Sequence, residues 1–346
     1  MKYIRLFLLT AVAGIVLLVA FQRADEVDNH AVAESKINGI SFVAPSRPVG
    51  IEALEPIKKV NANWTAITPY AFGKAGAPDL RFNVSRQWWG EREAGVVATV
   101  QYAHELGMNV MLKPHVWVRG QGWAGEFEMQ NEADWKEWEQ NYRDYIISYA
   151  QVADSLNVEL FCIGTEYRLA VRQRPEFWHG LIKEVKGIYD GKLTYAANWD
   201  NYQNVGFWDD LDYIGVDSYF DISENKTPSV AHLTEKWGPV KGDLQSFANE
   251  KGKPILFTEF GYKSVDFTAD GHWKYNRDER ALNLQAQANA YQAVFKTFWN
   301  EPWFAGGFLW KWFDRHAERG GPDNTRFTPQ NKPAEETIRK WYGRDK

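Results

Sequence analysis

From residue 38 onward, short apolar runs alternate with longer stretches whose apolar positions recur every three or four residues. The runs fall at 40–44, 64–70, 109–118, 160–166, 193–199, 213–219, 254–261 and 307–312. Most are apolar nearly throughout rather than alternating, which predicts parallel strands buried on both faces. Between them, Trp135, Trp138, Tyr142, Tyr145, Ile146 and Tyr149 step at helical spacing. So do Leu282, Ala286, Ala290 and Val294 ahead of the last run. Asn131 or Asp134 is placed to cap the first of these helices. Strand–helix alternation repeated eight times predicts an α/β protein, a closed (β/α)8 TIM barrel. An open doubly wound sheet is the alternative, but no glycine-rich phosphate loop follows the first run. No Pro- or Ser-rich linker divides the pattern, so residues 34–346 read as a single domain.

Connection lengths orient the barrel. Helix-to-strand connections are short, at 107–108, 190–192 and 251–253. Strand-to-helix segments are long, at 71–92, 119–132, 263–280 and 313–333. The long segments all fall at the carboxyl-terminal ends of the strands, the face on which barrel enzymes build their sites. Trp88, Trp89, Trp123 and Trp273 lie in them, which predicts an extended cleft rather than a small closed pocket.

Ahead of this pattern, Lys2 and Arg5 precede an apolar run from Leu6 to Phe21, and Arg23, Asp25, Glu26 and Asp28 follow. A positive start and an apolar middle are the marks of a secretory signal. The run is short for a spanning helix, which takes about 17–25 residues. No small-x-small cleavage site directly follows Phe21; Ala31-Val32-Ala33 has that form farther on. Residues 1–33 therefore read as a signal peptide or as an uncleaved anchor attached to a membrane through residues 6–21, with a buried helix of the domain as a third reading. Either of the first two places the remainder outside the cytoplasm: periplasmic, secreted or anchored facing outward.

Composition narrows the chemistry. The net charge of −5 argues against a basic face that tracks phosphates, so nucleic acid is not an expected partner. The single cysteine, Cys162, excludes an internal disulfide and a multi-cysteine zinc site. No metal-binding motif is present; Asp209-Asp210-Leu211-Asp212 reads as a solvated turn, and no cofactor is implied. Aromatic residues make up 15% of the chain, with 17 tryptophans. Some must build the core. The rest suit stacking on the flat C–H faces of sugar rings, which makes a polysaccharide or oligosaccharide the expected partner.

Candidate chemistry sits at the ends of two runs. The fourth ends Phe161-Cys162-Ile163-Gly164-Thr165-Glu166-Tyr167, and the seventh ends Ile255-Leu256-Phe257-Thr258-Glu259-Phe260-Gly261-Tyr262. A carboxylate closing an apolar strand is costly unless paired. An ion pair, for example Glu166 with Arg168, would explain one such glutamate; two, on strands that face each other across a barrel mouth, point to a shared task. Glycoside cleavage needs such a pair, one carboxylic acid to protonate the leaving oxygen and one carboxylate to attack carbon or activate water. The acid must stay protonated near neutral pH, through desolvation or the charge of its neighbour.

Other residues are placed by position. Asn198 ends the fifth run and either offers its amide to a sugar or serves the turn before Trp199. Tyr219 ends the sixth run and either donates to Glu259 or packs at the rim. Trp310 ends the eighth run and either floors the sugar site or packs in the core. His115 and Trp117 share a face near the end of the third run; His115 either contacts sugar or carboxylate or is a satisfied core histidine. Trp199 and Tyr262 are further candidate substrate contacts. Lys113 shares the face of His115 and should find a carboxylate partner, in the site or outside it. Cys162 lies deeper on the face of Glu166 and reads as buried filler rather than a nucleophile.

From residue 38 to residue 342 the chain resembles a clan A retaining glycoside hydrolase, and most closely glycoside hydrolase family 113, whose characterised members act mainly on β-1,4-mannan. The segments Cys162-Ile163-Gly164-Thr165-Glu166, Leu256-Phe257-Thr258-Glu259-Phe260-Gly261-Tyr262 and Gly307-Phe308-Leu309-Trp310-Lys311-Trp312 carry the likeness. The resemblance implies that Glu166 is the acid/base and Glu259 the nucleophile. Many clan members have Asn directly before the acid/base, where this chain has Thr165, a departure that family 113 shares. The expected activity is that of a retaining endo-β-1,4-mannanase, its two carboxyl groups about 5–5.5 Å apart. The alternatives are a retaining hydrolase of another β-glycan, an exo-acting β-mannosidase with a long connection blocking the cleft, and a non-catalytic glycan-binding barrel.

Overall fold

A computed structural model describes residues 35–121, 123–271 and 280–344. The amino-terminal segment 1–33 and Trp273 lie outside the described residues. No helix among the described residues is long and apolar enough to cross a membrane. The strands are β1 (Ile37–Phe42), β2 (Trp64–Ile67), β3 (Tyr70–Lys74), β4 (Ala77–Arg81), β5 (Asn109–Leu112), β6 (His115–Arg119), β7 (Leu160–Thr165), β8 (Lys192–Asn198), β9 (Ile214–Ser218), β10 (Ile255–Phe260) and β11 (Phe304–Trp312). The helices are α1 (Glu55–Lys59), α2 (Glu93–Glu105), α3 (Glu132–Ser155), α4 (Arg168–Gln173), α5 (Pro175–Lys186), α6 (Val230–Lys251), α7 (Leu284–Phe298) and α8 (Pro333–Tyr342).

Eight strands close a parallel barrel in the order β1, β11, β10, β9, β8, β7, β5, β2. This is the (β/α)8 TIM barrel that the alternation predicts. Two of the runs turn out to be two strands each. Run 64–70 leaves the barrel at Pro69, and run 109–118 leaves it at Pro114; neither proline can donate to the ladder. Beyond them the chain continues as β3 and β6, which pair in parallel and, with β4, form a separate three-stranded sheet in the order β4, β3, β6.

Two layers of core hold these parts. Inside the barrel, Ile37, Ala66, Met111, Leu160, Cys162, Ala196, Leu256 and Phe308 pack together. The Phe308 ring lies where a Cβ on Gly39 would stand, 2.4 Å from its nearest atom, so β1 must carry glycine there. Outside the barrel, α3 buries the six aromatic and apolar positions that its spacing predicts. Its cap is Asn131, whose side chain accepts from the Asp134 backbone N–H at 3.0 Å. The apolar step before α7 begins one turn too early in the sequence reading: Leu282 precedes the helix and is exposed, and Asn283 caps it.

Candidate active site

Glu166 follows the last residue of β7, and Glu259 lies near the end of β10, both at the carboxyl-terminal mouth of the barrel. Each stands at an irregularity. The β7–β8 register shifts between Cys162 and Thr165, and the β10–β9 register shifts between Phe257 and Glu259. Such bulges re-aim a side chain out of the regular pleat. At Glu166 the backbone is also left-handed, with φ of +56°. Its N–H donates to the Ala196 carbonyl at 2.8 Å, so the irregular backbone stays tied to β8. The next residue is tied too, because the Tyr167 N–H donates to the Tyr195 hydroxyl at 2.8 Å.

The two carboxyl groups have different surroundings. Glu259 accepts from Lys113 Nζ at 2.6 Å and from the Tyr219 hydroxyl at 2.7 Å. Lys113 is fully buried and also reaches Asp217 Oδ1 at 3.2 Å. Burial opposes its charge, but Asp217 and Glu259 outweigh that and raise its pKa, so it is an ammonium. Asp217 is buried, and its pKa is pushed up to about 7 by burial and by Glu259, against the pull of Lys113 and a hydrogen bond from Thr258.

Glu166 accepts from Trp123 Nε1 at 2.7 Å and pairs with no cation among the described residues. Burial raises its pKa well above the ordinary glutamate value, and the charges of Asp217 and Glu259 raise it further. Lys113 and the Trp123 hydrogen bond pull the other way and are outweighed. Arg168, the partner a structural ion pair would use, bonds Glu126 and Asp200 instead, each at 3.4 Å, and lies over the Trp123 ring.

An open cleft of about 620 Å³ runs over both glutamates. Asn198, Tyr219 and Trp310 line it, as do His115, Trp117 and Trp199. Asn198 turns its amide to Asp200 at 2.8 Å. His115 stacks parallel to Trp310 at 5.9 Å between ring centres. Burial, Lys113 and Lys311 depress its pKa well below the usual value, so its ring is neutral. Its Nε2 is 3.6 Å from Glu259 Oε1, too far for a hydrogen bond, and has no partner among the described residues. Tyr262 is the exception: it does not line the cleft. It is buried with its ring against Tyr291, because it follows β10 on the side that faces the helices. Cys162 is buried inside the barrel, and burial pushes its thiol up to about 11, as suits filler. Among the described residues, no group of three or more His, Cys, Asp or Glu side chains is arranged to hold a metal ion.

The family model described as Glycoside Hydrolase Family 113 matches residues 46–332. The chain belongs to glycoside hydrolase family 113. It is an O-glycoside hydrolase of clan A. A β-mannanase of the family from Alicyclobacillus acidocaldarius, solved in complex with ManMIm, is similar with 25% identity and a TM-score of 0.77, over 89% of this chain and 97% of that one. A second family-113 structure, a β-1,4-mannanase in complex, is similar with 26% identity and a TM-score of 0.76, over 90% and 99%. A β-glucuronidase from Bifidobacterium dentium shares the fold alone, at 12% identity and a TM-score of 0.58, over 89% of this chain and 47% of its own. A search of curated proteins finds no match.

Within this family-113 barrel, sequence reasoning passed over two parts of the site. Asp217 was available as the one acid inside the apolar run 213–219, the same signal that singled out the glutamates. Lys113 carries the sequence signal of a buried cation in need of a carboxylate, but its partners come from β9 and β10, across the barrel. Trp123 was visible only as a tryptophan in a long connection; nothing in the sequence aims its indole at Glu166.

Proposed function

We propose that the protein is a retaining endo-β-1,4-mannanase working by double displacement. Glu259 attacks the anomeric carbon as the bond to the leaving oxygen breaks and the Glu166 proton passes to that oxygen. Glu166, now a carboxylate, takes a proton from water; the water oxygen attacks the same carbon and Glu259 is released. Two inversions give net retention. The observation that carries the reading is the contrast between the carboxyls. Glu259 is ion-paired to Lys113, as suits a nucleophile, whereas Glu166 has a raised pKa and no paired cation among the described residues, as suits an acid. Mannan is supported by the two family-113 structures, both described as β-mannanases.

The test sets the full chain beside Glu259→Gln and Glu166→Gln on β-1,4-mannan, glucomannan, cellulose and an aryl β-mannoside with an acidic phenol. Wild type should cut mannan to oligosaccharides, with the β-anomer as first product by NMR. Glu259→Gln should be inert on every substrate. Glu166→Gln should lose about 10²–10⁴-fold on mannan, and much less on the aryl glycoside, whose leaving group needs no proton. An α-anomer as first product, or full turnover by Glu259→Gln, overturns the mechanism; cleavage of cellulose alone overturns the substrate.

A further inference from the structure

The three-stranded sheet beside the barrel has two unlike faces. Ala71 and Val118 are buried in the core shared with α3, and Asn141 of that helix donates to the Pro78 carbonyl of β4 at 3.1 Å. Successive side chains alternate across a strand, so residues 70, 72 and 74 of β3 and 115, 117 and 119 of β6 share the other face. Register makes them rows: Tyr70 beside His115, Phe72 beside Trp117, Lys74 beside Arg119.

The first row belongs to the catalytic cleft. Tyr70 and His115 meet edge to face at 5.3 Å, and His115 stacks on Trp310. The second row lies about 6.6 Å farther along the strands. It is two aromatic rings left open to solvent, Phe72 at 37% and Trp117 at 50% exposure. Trp117 lines the cleft, so this apolar tile continues the cleft floor away from the glutamates. The third row is two exposed cations on neighbouring strands. Neither Lys74 nor Arg119 has an ion-pair partner among the described residues. Arg81, the register partner of Phe72 on β4, adds a third cation beside the tile. Asp79, exposed on the same strand, is the acid nearest these cations in the sequence.

Folding does not account for this. Adjacent strands lie about 4.8 Å apart, and like charges in register repel. Cations on edge strands discourage aggregation, which covers Arg119 on β6 and Arg81 on β4, but Lys74 stands on β3, the central strand of the sheet. In a chain of net charge −5, a row of cations with no ion-pair partner among the described residues, at the end of an aromatic floor, has the character of a binding site.

We propose that the open face of this sheet is a glycan-binding extension of the cleft that takes an acidic sugar, with Phe72 and Trp117 stacking its ring and Lys74 and Arg119 pairing its carboxylate. The inference rests on the glycoside-hydrolase reading of the cleft and deepens it: the polymer is one bearing anionic groups a short distance from the cut bond.

The experiment measures binding by calorimetry, independent of turnover. The probes are manno-oligosaccharides and the same oligosaccharides partly oxidised at C6 to carboxylates, with a matching pair of cello-oligosaccharides. The proteins are the full chain, Phe72→Ala/Trp117→Ala and Lys74→Gln/Arg119→Gln, at low and high salt. Wild type should bind the oxidised member about tenfold more tightly at low salt, and the preference should shrink as salt rises. Lys74→Gln/Arg119→Gln should lose the preference but keep neutral binding. Phe72→Ala/Trp117→Ala should weaken both members about three- to tenfold. Equal binding of neutral and oxidised members in both pairs, or a preference that survives in Lys74→Gln/Arg119→Gln, overturns the proposal. A preference confined to the cello pair keeps the proposal and sinks the mannan reading instead.

Discussion

At the scale of single residues, the site depends on holding Glu166 in an unfavourable state. Its left-handed backbone costs a non-glycine residue about 1–3 kcal/mol, and its burial disfavours the carboxylate. Two phenols steady the chain on either side of it, one from α3 and one from the barrel strand β8. Tyr142 donates to the Ile163 carbonyl at 3.0 Å, and Tyr195 accepts from the Tyr167 N–H. Activity that needs protonated Glu166 should fall as pH rises through its pKa. The Trp123 hydrogen bond favours the carboxylate, so Trp123→Phe should move the alkaline limb of kcat/KM to higher pH. Asp217→Asn removes a negative charge that raises the same pKa and should move the limb lower. Limbs that stay put in both variants would sink the assignment of Glu166 as the acid. The two glutamates were legible because charge at the end of an apolar strand asks for an explanation. The Lys113–Asp217–Glu259 cluster was not, because Lys113 follows β5 while Asp217 and Glu259 lie on β9 and β10, and the three meet only when the barrel closes.

At the scale of elements, the long connections after β10 and β11 are fastened together from one point. Lys332 precedes α8 and is buried; its Nζ donates to Ser264 Oγ at 2.8 Å, Asn324 Oδ1 at 2.9 Å and the Arg326 carbonyl at 2.9 Å. Phe327, next to Arg326, lines the cleft. Lys332→Met leaves three acceptors without their donor and should cost about 1–3 kcal/mol, read as an earlier urea midpoint. It should also raise KM for long substrates more than for short ones; an unchanged midpoint and KM would show that the fastening is idle. Barrel strands were readable from apolar runs. The small sheet was not, because β3 and β6 are continuations of barrel runs in the sequence. Pro69 and Pro114 mark the breaks, and a proline alone does not say that the chain re-pairs beyond it.

At the scale of the whole molecule, the last helix secures the closure of the barrel. Strand β1 pairs with both β11 and β2, and the Tyr342 hydroxyl of α8 donates to the Gly39 carbonyl of β1 at 3.0 Å. Ile338, Trp341 and Tyr342 are buried, and Trp341 stacks on Phe295 of α7. Burying three such side chains contributes about 5 kcal/mol or more, a large part of the stability of an ordinary domain. A chain ending at residue 332 should therefore be recovered unfolded or aggregated; a soluble, cooperatively melting product would refute this role for α8. The barrel itself was legible from eight repeats of one pattern. The division of tryptophans between core and cleft was not, since neither composition nor spacing separates a packed indole from an open one. Several of the described indoles are buried in the core. Trp138 stacks on Tyr142 and Trp178 on Phe207, both directly behind the strand that carries Glu166. Rings locked in such asymmetric pairs rotate polarised near-ultraviolet light strongly. The protein thus carries its own optical gauge, in which the packing behind Glu166 can be watched loosening while the helices and strands, seen at shorter wavelength, are still intact.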